Sequence, residues 1–439
     1  NLNFNSSNVN PLNNNNRTNG FAVRPVQEFT AACKNLVDMR IGCDLLNDIF
    51  RAYYDARRHK RNTKSQLAFE MDLEHNLIEL YEQIRDRTYR PSPGICFITE
   101  HPVKREIFAS PFRDRVVHHL LFNYLAPLFE CRMIHDSYSC RKGKGTSLGI
   151  ERFEHHIRSC TRNYTRSAYI LKLDLRGYFM SIDKRLLYSI IERTVGRKKG
   201  VADFDYELTD FLLRAILFRN PVENCRIIGS LSDWNDLPPS KSLLKSPPGV
   251  GLPIGDLTSQ LFSNIYLDML DEYAKRTLKC RHYGRYVDDF YIVHSSRNYL
   301  RGLIPRLRDY LSSELHLTLH PDKIVLQHST KGVSFLGAIV RPHRRYPAMR
   351  TVGLFRKAMK RLEQECFEAE PSFECLARML PVINSYCGHL MHFKAYRILD
   401  RQFGASPLRK YFRFSRDYAK ATIKTGYKRP SGENIRSFD

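Results

Sequence analysis

The chain has 439 residues, 42% of them hydrophobic, which is ample for a core and more than one ordinary domain needs. Lys and Arg number 70 against 46 Asp and Glu, and a formal charge of +24 points to a polyanionic partner, nucleic acid being the commonest. No apolar run approaches the ~20 residues of a membrane helix, and the eleven cysteines contain no CxxC pair, so a membrane protein and a zinc ribbon are both excluded as expectations. The closest cysteine pairs, Cys131/Cys140 and Cys366/Cys375, are nine residues apart, matching no zinc-ligand spacing. A reduced cytoplasmic protein with no signal peptide is expected.

The first twenty residues hold ten asparagines and bury too little apolar surface to fold alone. From about Phe29 the pattern becomes helical, with Leu45, Leu46, Ile49 and Tyr53 on one face, then Leu67, Met71, Leu77, Ile78 and Tyr81. Basic residues interleave, as in RRHKRNTK (57–64). After Pro91 and Pro93, the run Val116, Val117, Leu120, Leu121 and Tyr124 predicts another helix, and SYSCRKGKGTSLG (137–149) a basic loop. SAYILKLDL (167–175) alternates like a half-buried strand, and Asp183 is placed to cap a helix through Ile191.

The prolines between Asn220 and Val250 mark loops. Leu257, Leu261, Ile265 and Met269 predict a helix from Asp256. RHYGRYVDDFYIVHSS reads as two strands around a tight VDD turn. A helix through Leu303, Leu307 and Leu311 is expected next, with Pro305 in or near its first turn. LHLTLHPDKIVL should be extended and GVSFLGAIV (332–340) a strand. The remainder reads as helical and basic, residues 401–439 carrying ten Lys/Arg against three acids.

The chemistry sits in an acid ending a hydrophobic strand, LKLDLRGYF, and, 114 residues later, a carboxylate pair in a hairpin turn, RYVDDF. Transfer of a nucleotidyl group by two Mg²⁺ needs several carboxylates converging on ions roughly 4 Å apart, and two neighbouring strand ends can supply three. Each acid alone would be an ordinary turn residue; their apolar, β-prone flanks argue otherwise.

These segments resemble reverse transcriptases. RYVDDF is similar to their YxDD box and LKLDLRGYF to the preceding metal-binding block. KREIFASPFRDR, IHDSYSCRKGKGT, GLPIGDLTSQ, LTLHPDK and VSFLG resemble five further blocks in the family's order, over roughly residues 95–340. The resemblance implies an α+β right-hand polymerase: an N-terminal leader (1–28), helices and fingers (29–165), a palm with an antiparallel sheet (166–340, fingers insertion at about 183–250) and a helical thumb and tail (341–439).

It further implies Asp174, Asp288 and Asp289 as metal ligands with the Leu175 carbonyl as an extra oxygen, two Mg²⁺ (Mn²⁺ substituting), and Lys323 as proton donor to pyrophosphate. Lys104 and Arg105 would grip the triphosphate, where a guanidinium fork suits phosphate oxygens. Phe179 would exclude a 2′-hydroxyl, while Ile254 and Gly255 would lie beside the nascent pair. Arg141, Lys142, Lys144, Ser259, Gln260, Phe335, Leu336 and Gly337 would hold template and primer. Plainer readings stay open at this point: Phe179 as core packing, Lys104 and Arg105 as a solvated basic strand, Lys323 as a surface lysine, Phe335 to Gly337 as a core strand.

Ile254-Gly255-Asp256-Leu257-Thr258-Ser259-Gln260 departs from the commoner form of its block, which has Gln before the glycine and Pro after the serine. This version resembles the reverse transcriptases of diversity-generating retroelements. That resemblance implies an error-prone copy of a template-repeat RNA, and a small, basic, helical accessory protein forming a ring. The leader NNNNRTNGFAVRPV is similar to the end of the variable proteins such elements diversify, so residues 1–28 are either a translated template repeat or a disordered polar leader. The alternatives are a group II intron-like, retron or CRISPR-associated reverse transcriptase, or a non-catalytic RNA-binding scaffold. No endonuclease, protease or maturase-type segment is expected after residue 340.

Overall fold

A computed structural model of the protein describes residues 44–58, 63–100, 103–368 and 370–427. The asparagine-rich leader, the helical start from Phe29, part of the basic 57–64 run and residues 428–439 lie outside them.

Three helices come first: α1 (Leu45–Arg57), α2 (Lys64–Glu70) and α3 (Leu73–Arg85). Asp44 and Thr63 cap the first two by accepting backbone N–H bonds. In α1, Ile49 and Tyr53 are buried as the periodicity expects. The second expected face is corrected: the helix breaks at Met71 and Asp72, and Leu67, Met71 and Ile78 are exposed. Leu77 is buried as expected, but Phe69, Leu80 and Ile84 fill the core beside it, because a break resets the 3.6-residue phase that a continuous reading assumes.

Strands β1 (Ile95–Thr99) and β2 (Arg105–Ala109) form a hairpin, and α4 (Phe112–Glu130) buries Val116, Val117, Leu120, Leu121 and Tyr124 as expected. The helix α5 (Thr146–Cys160) precedes β3 (Tyr169–Asp174). Asp183 caps α6 (Lys184–Val195), accepting from the N–H groups of Arg185 and Leu186. After α7 (Tyr206–Leu217), a short β4 (Arg226–Ile227) pairs in parallel with β1. The buried Glu106 on β2 accepts bonds from Trp234, Ser242 and Leu243, tying the proline-rich 220–250 segment to that hairpin.

The helix α8 (Leu257–Glu272) runs into a π-helical turn (Tyr273–Thr277). Then come β5 (His282–Tyr286), β6 (Asp289–His294), α9 (Arg297–Leu315) and β7 (Val325–His328). Pro305 lies well inside α9: Ser296 caps the helix at the Tyr299 N–H, so it begins two turns earlier than the proline suggests.

An antiparallel sheet in the order β5-β6-β3-β7 forms the centre. Leu171, Leu173, Phe290 and Ile292 on one face share a core with Leu261 and Ile265 of α8 and Leu303, Leu307 and Leu311 of α9. On the other face Ile170, Tyr291 and Val293 pack with Phe153 of α5.

The expected strand at 332–340 is instead a hairpin of β8 (Val333–Phe335) and β9 (Ala338–Arg341), extended by β10 (Arg344–Pro347). Leu336 and Gly337 both take positive φ (51° and 80°), the requirement of a two-residue hairpin turn. The last segment, α10 (Met349–Glu368), α11 (Phe373–Met391), α12 (Tyr396–Phe403) and a hairpin of β11 (Phe412–Phe414) and β12 (Ala421–Ile423), closes its own core around Phe355, Met359, Ile383 and Phe403. The closing hairpin is the exception in a segment that the sequence reads as mostly helical.

In α8, Asp268 is buried with its Oδ1 unpartnered, and burial, then the neighbouring Asp271, pushes its carboxyl up to about 7. A carboxyl raised on folding costs stability only where it must ionise: nothing below its ordinary range, the full amount above about 7. Asp268→Asn should therefore raise the urea midpoint at pH 8 by more than at pH 5. Equal shifts at both pH values would contradict this.

Candidate active site

Pairing of β3 with β6 sets Asp174 directly opposite Asp289, so both carboxylates leave the same face at the same end of the sheet. Asp288 occupies the preceding turn, where Val287 takes a φ of 54° and reverses the chain. Two residues before Asp174 the pleat brings Lys172 to the same face, and its Nζ lies 3.0 Å from Asp289 Oδ2. Lys323, in the 3-10 turn before β7, places its Nζ 2.8 Å from Asp174 Oδ1.

That turn is docked by backbone: the His320 N–H donates to the Asp174 carbonyl and the Arg176 N–H to the Thr318 carbonyl, both at 2.9 Å. Neither bond uses the Leu175 carbonyl.

Burial, then the negative charge of Asp174, pushes Asp288 up to about 6, with Lys323 and Arg105 pulling the other way. Burial also pushes Asp289 up to about 6 against the pull of Lys172. The Asp289 Oδ1 is buried with no hydrogen-bond partner. Among the described residues no three His, Cys, Asp or Glu side chains form a ready-made metal cage. The three carboxylates nevertheless suit hard divalent ions: all donors are oxygens, negative charge is crowded, and one buried oxygen has no partner.

Arg285, fully buried, anchors the turn. It donates to both oxygens of Asp271 (2.7 and 2.6 Å), to Ser137 Oγ (3.1 Å) and to the Val287 carbonyl (3.1 Å). Sequence reasoning passed over Arg285 and Lys172. The signal for Lys172 was the alternation in YILKLD, which puts Lys172 and Asp174 on one face; for Arg285 it was a charge inside a strand that is otherwise apolar and aromatic.

Arg105 is exposed on β2, and its positive charge is among the influences that lower the Asp288 carboxyl. The Lys104 Nζ donates to the Asn235 carbonyl. Phe179 is half-buried with its ring edge-on to Tyr178, and its carbonyl accepts the Leu252 N–H. Ile254 is half-buried against Cys96, Phe108 and Met180, and its carbonyl accepts the Phe108 N–H at 2.8 Å.

Gly255 has a φ of 142°, and a Cβ there would meet the Phe108 carbonyl oxygen at 1.9 Å. The close approach it permits here is to the backbone of β2. Ser259 is buried and Gln260 exposed on α8.

Arg141 is tied to its own loop. Its guanidinium is buried against Glu130 at 2.8 Å and donates to the Ile134 and Ser137 carbonyls, so it holds the loop together. Lys144 donates to the His135 carbonyl, and Lys142 is exposed. Phe335 is a core residue packed on Phe153 and Tyr291, while Leu336 and Gly337 form the turn beyond it.

Residues 104–340, more than half the chain, match the family described as reverse transcriptase (RNA-dependent DNA polymerase). The chain belongs to the reverse transcriptase family. Its matched region is the domain of an RNA-directed DNA polymerase, on a right-hand polymerase fold whose palm is the β5-β6-β3-β7 sheet.

This reverse transcriptase is 22% identical to protein YkfC of Escherichia coli over 329 residues, 67% of this chain and 77% of YkfC. It is 20% identical to a putative COX1/OXI3 intron 2 protein of Saccharomyces cerevisiae over 280 residues, 51% of this chain but only 29% of that protein. A telomerase of Candida albicans is similar with a TM-score of 0.43 and 11% identity, over 75% of this chain and 63% of the telomerase. The chain thus spans less than two thirds of the telomerase and of the intron protein.

Proposed function

We propose that the protein copies a template-repeat RNA into error-prone cDNA by two-Mg²⁺ nucleotidyl transfer, serving the mutagenic retrohoming of a diversity-generating retroelement in the cytoplasm. The observation that carries the polymerase reading is the register that sets Asp174 against Asp289, with Asp288 in the adjoining turn. Bound at these carboxylates, Mg²⁺ would activate the primer 3′-hydroxyl and stabilise charge on the triphosphate.

The chain's own residues do the rest. Asp174, Asp288 and Asp289 hold the cations, and Arg105, exposed on β2, offers a guanidinium suited to triphosphate oxygens. The Lys323 ammonium, now on Asp174, is the proton source at the leaving pyrophosphate. Template RNA, primer and deoxynucleotides are the substrates. A small basic ring-forming accessory protein is the proposed partner. Primer extension on an RNA template in Mg²⁺ tests the activity; no extension by the folded chain would sink it.

The subfamily reading rests on the Ile254–Gln260 segment. Ile254 presents an apolar side chain where relatives place an amide, and a missing hydrogen bond is worth ~1 kcal/mol, about fivefold in discrimination. Ile254→Gln should therefore lower misincorporation by about fivefold, most at template adenines. Sequencing cDNA made by both enzymes on one adenine-rich RNA decides it, equal error spectra at equal folded fractions refuting the idea.

A further inference from the structure

The catalytic carboxylates are not bare. Lys172 sits on Asp289 and Lys323 on Asp174, so the two ammoniums together carry the charge of one divalent ion. The family resemblance gives Lys323 a role; Lys172 lies in the LKLDLRGYF block but the resemblance gives it none.

We infer that Lys172 is a resident counter-ion that occupies the cation position of Asp289 in the metal-free enzyme and has to leave it when a divalent ion binds, so that this one side chain sets the metal requirement. The inference rests on the two-metal reading and goes beyond it.

Three observations carry it. First, the placement is dictated by the strand: Lys172 lies on the central strand β3, paired with Tyr291 on one side and Val325 on the other, so its backbone is fixed and only the side chain can move. Second, the pair is neither sealed in nor free, with both side chains 22% exposed, so the flexible lysine stem has a route to solvent. Third, the ammonium contacts only one oxygen. Asp289 Oδ1 stays buried and unpartnered, so a single point charge leaves this carboxylate half satisfied.

Three carboxylates against two ammoniums leave one negative charge unmatched by these lysines. A static ion pair serving only to hold the strands would not depend on whether metal is present. A place-holding cation would.

The test uses the full chain without RNA or nucleotide. Free Mn²⁺ is followed by electron paramagnetic resonance during titration of the parent, Lys172→Met, Lys172→Arg and Asp289→Asn. Lys172→Met keeps the stem and removes the competing charge, so its dissociation constant for Mn²⁺ should fall by about fivefold, the factor a partly exposed ion pair is worth. Lys172→Arg should stay near the parent.

Thermal unfolding gives the second readout. Lys172→Met should melt below the parent in EDTA, and the gap should close in saturating Mn²⁺. Unchanged or weaker Mn²⁺ binding by Lys172→Met, or an equal stability loss with and without Mn²⁺, overturns the inference. If the parent binds no Mn²⁺ that Asp289→Asn removes, the two-metal reading itself falls and takes this inference with it.

Discussion

Asp289→Asn should lower Mg²⁺-dependent DNA synthesis on an RNA template by about a thousandfold or more, with RNA affinity nearly unchanged. The two effects separate because they arise in different places. In the proposed function the carboxylates hold cations that stabilise charge in the transition state, whereas affinity for a nucleic acid comes mainly from Lys and Arg on phosphates. Asp174→Ala should behave alike, because the β3–β6 register makes the two acids one unit. Filter binding alongside primer extension checks both halves. Appreciable synthesis by Asp289→Asn contradicts the assignment, and a parallel collapse of RNA binding would show that the substitution had damaged the fold.

The second large effect concerns stability. Arg285→Met should destabilise the protein by about 3–5 kcal/mol, because it strands the fully buried Asp271 carboxylate without its partner. Against a typical total of roughly 5–15 kcal/mol, that leaves a marginal protein or an unfolded one. The double substitution Arg285→Met with Asp271→Leu removes both charges and should recover most of the loss, since buried pairs replaced together are often near neutral. It should not recover full activity: Arg285 also holds the Val287 carbonyl, and with it the turn that aims Asp288 and Asp289. Urea unfolding of the three variants decides the matter, and a single variant as stable as the parent refutes it.

Local periodicity made the centre of this fold legible before any coordinates. The alternation in SAYILKLDL and the aromatic strands around VDD are properties of a pleated, half-buried sheet, and β3, β5 and β6 follow them closely. The acids at their ends stood out because apolar neighbours make a solvated turn an unlikely home for them.

What stayed hidden depended on contacts distant in sequence. Nothing local in a basic loop announces that Glu130 and two carbonyls enclose Arg141. Phe335 carries no mark distinguishing a primer contact from a residue packed on Phe153. The steric need for glycine at 255 comes from the Phe108 carbonyl, on a strand nearly 150 residues earlier. Pro305 misled because a cap at Ser296 outweighs one lost backbone bond.

The central claim is that Asp174, Asp288 and Asp289 together hold two catalytic ions, and anomalous diffraction from Mn²⁺ tests it most directly. Crystals of the enzyme with an RNA template, a DNA primer and a non-hydrolysable deoxynucleotide should show two peaks roughly 4 Å apart. Both should touch these carboxylates, with the Lys172 ammonium withdrawn from Asp289. Peaks elsewhere, or carboxylates still paired with Lys172 and Lys323 in that complex, would contradict the account.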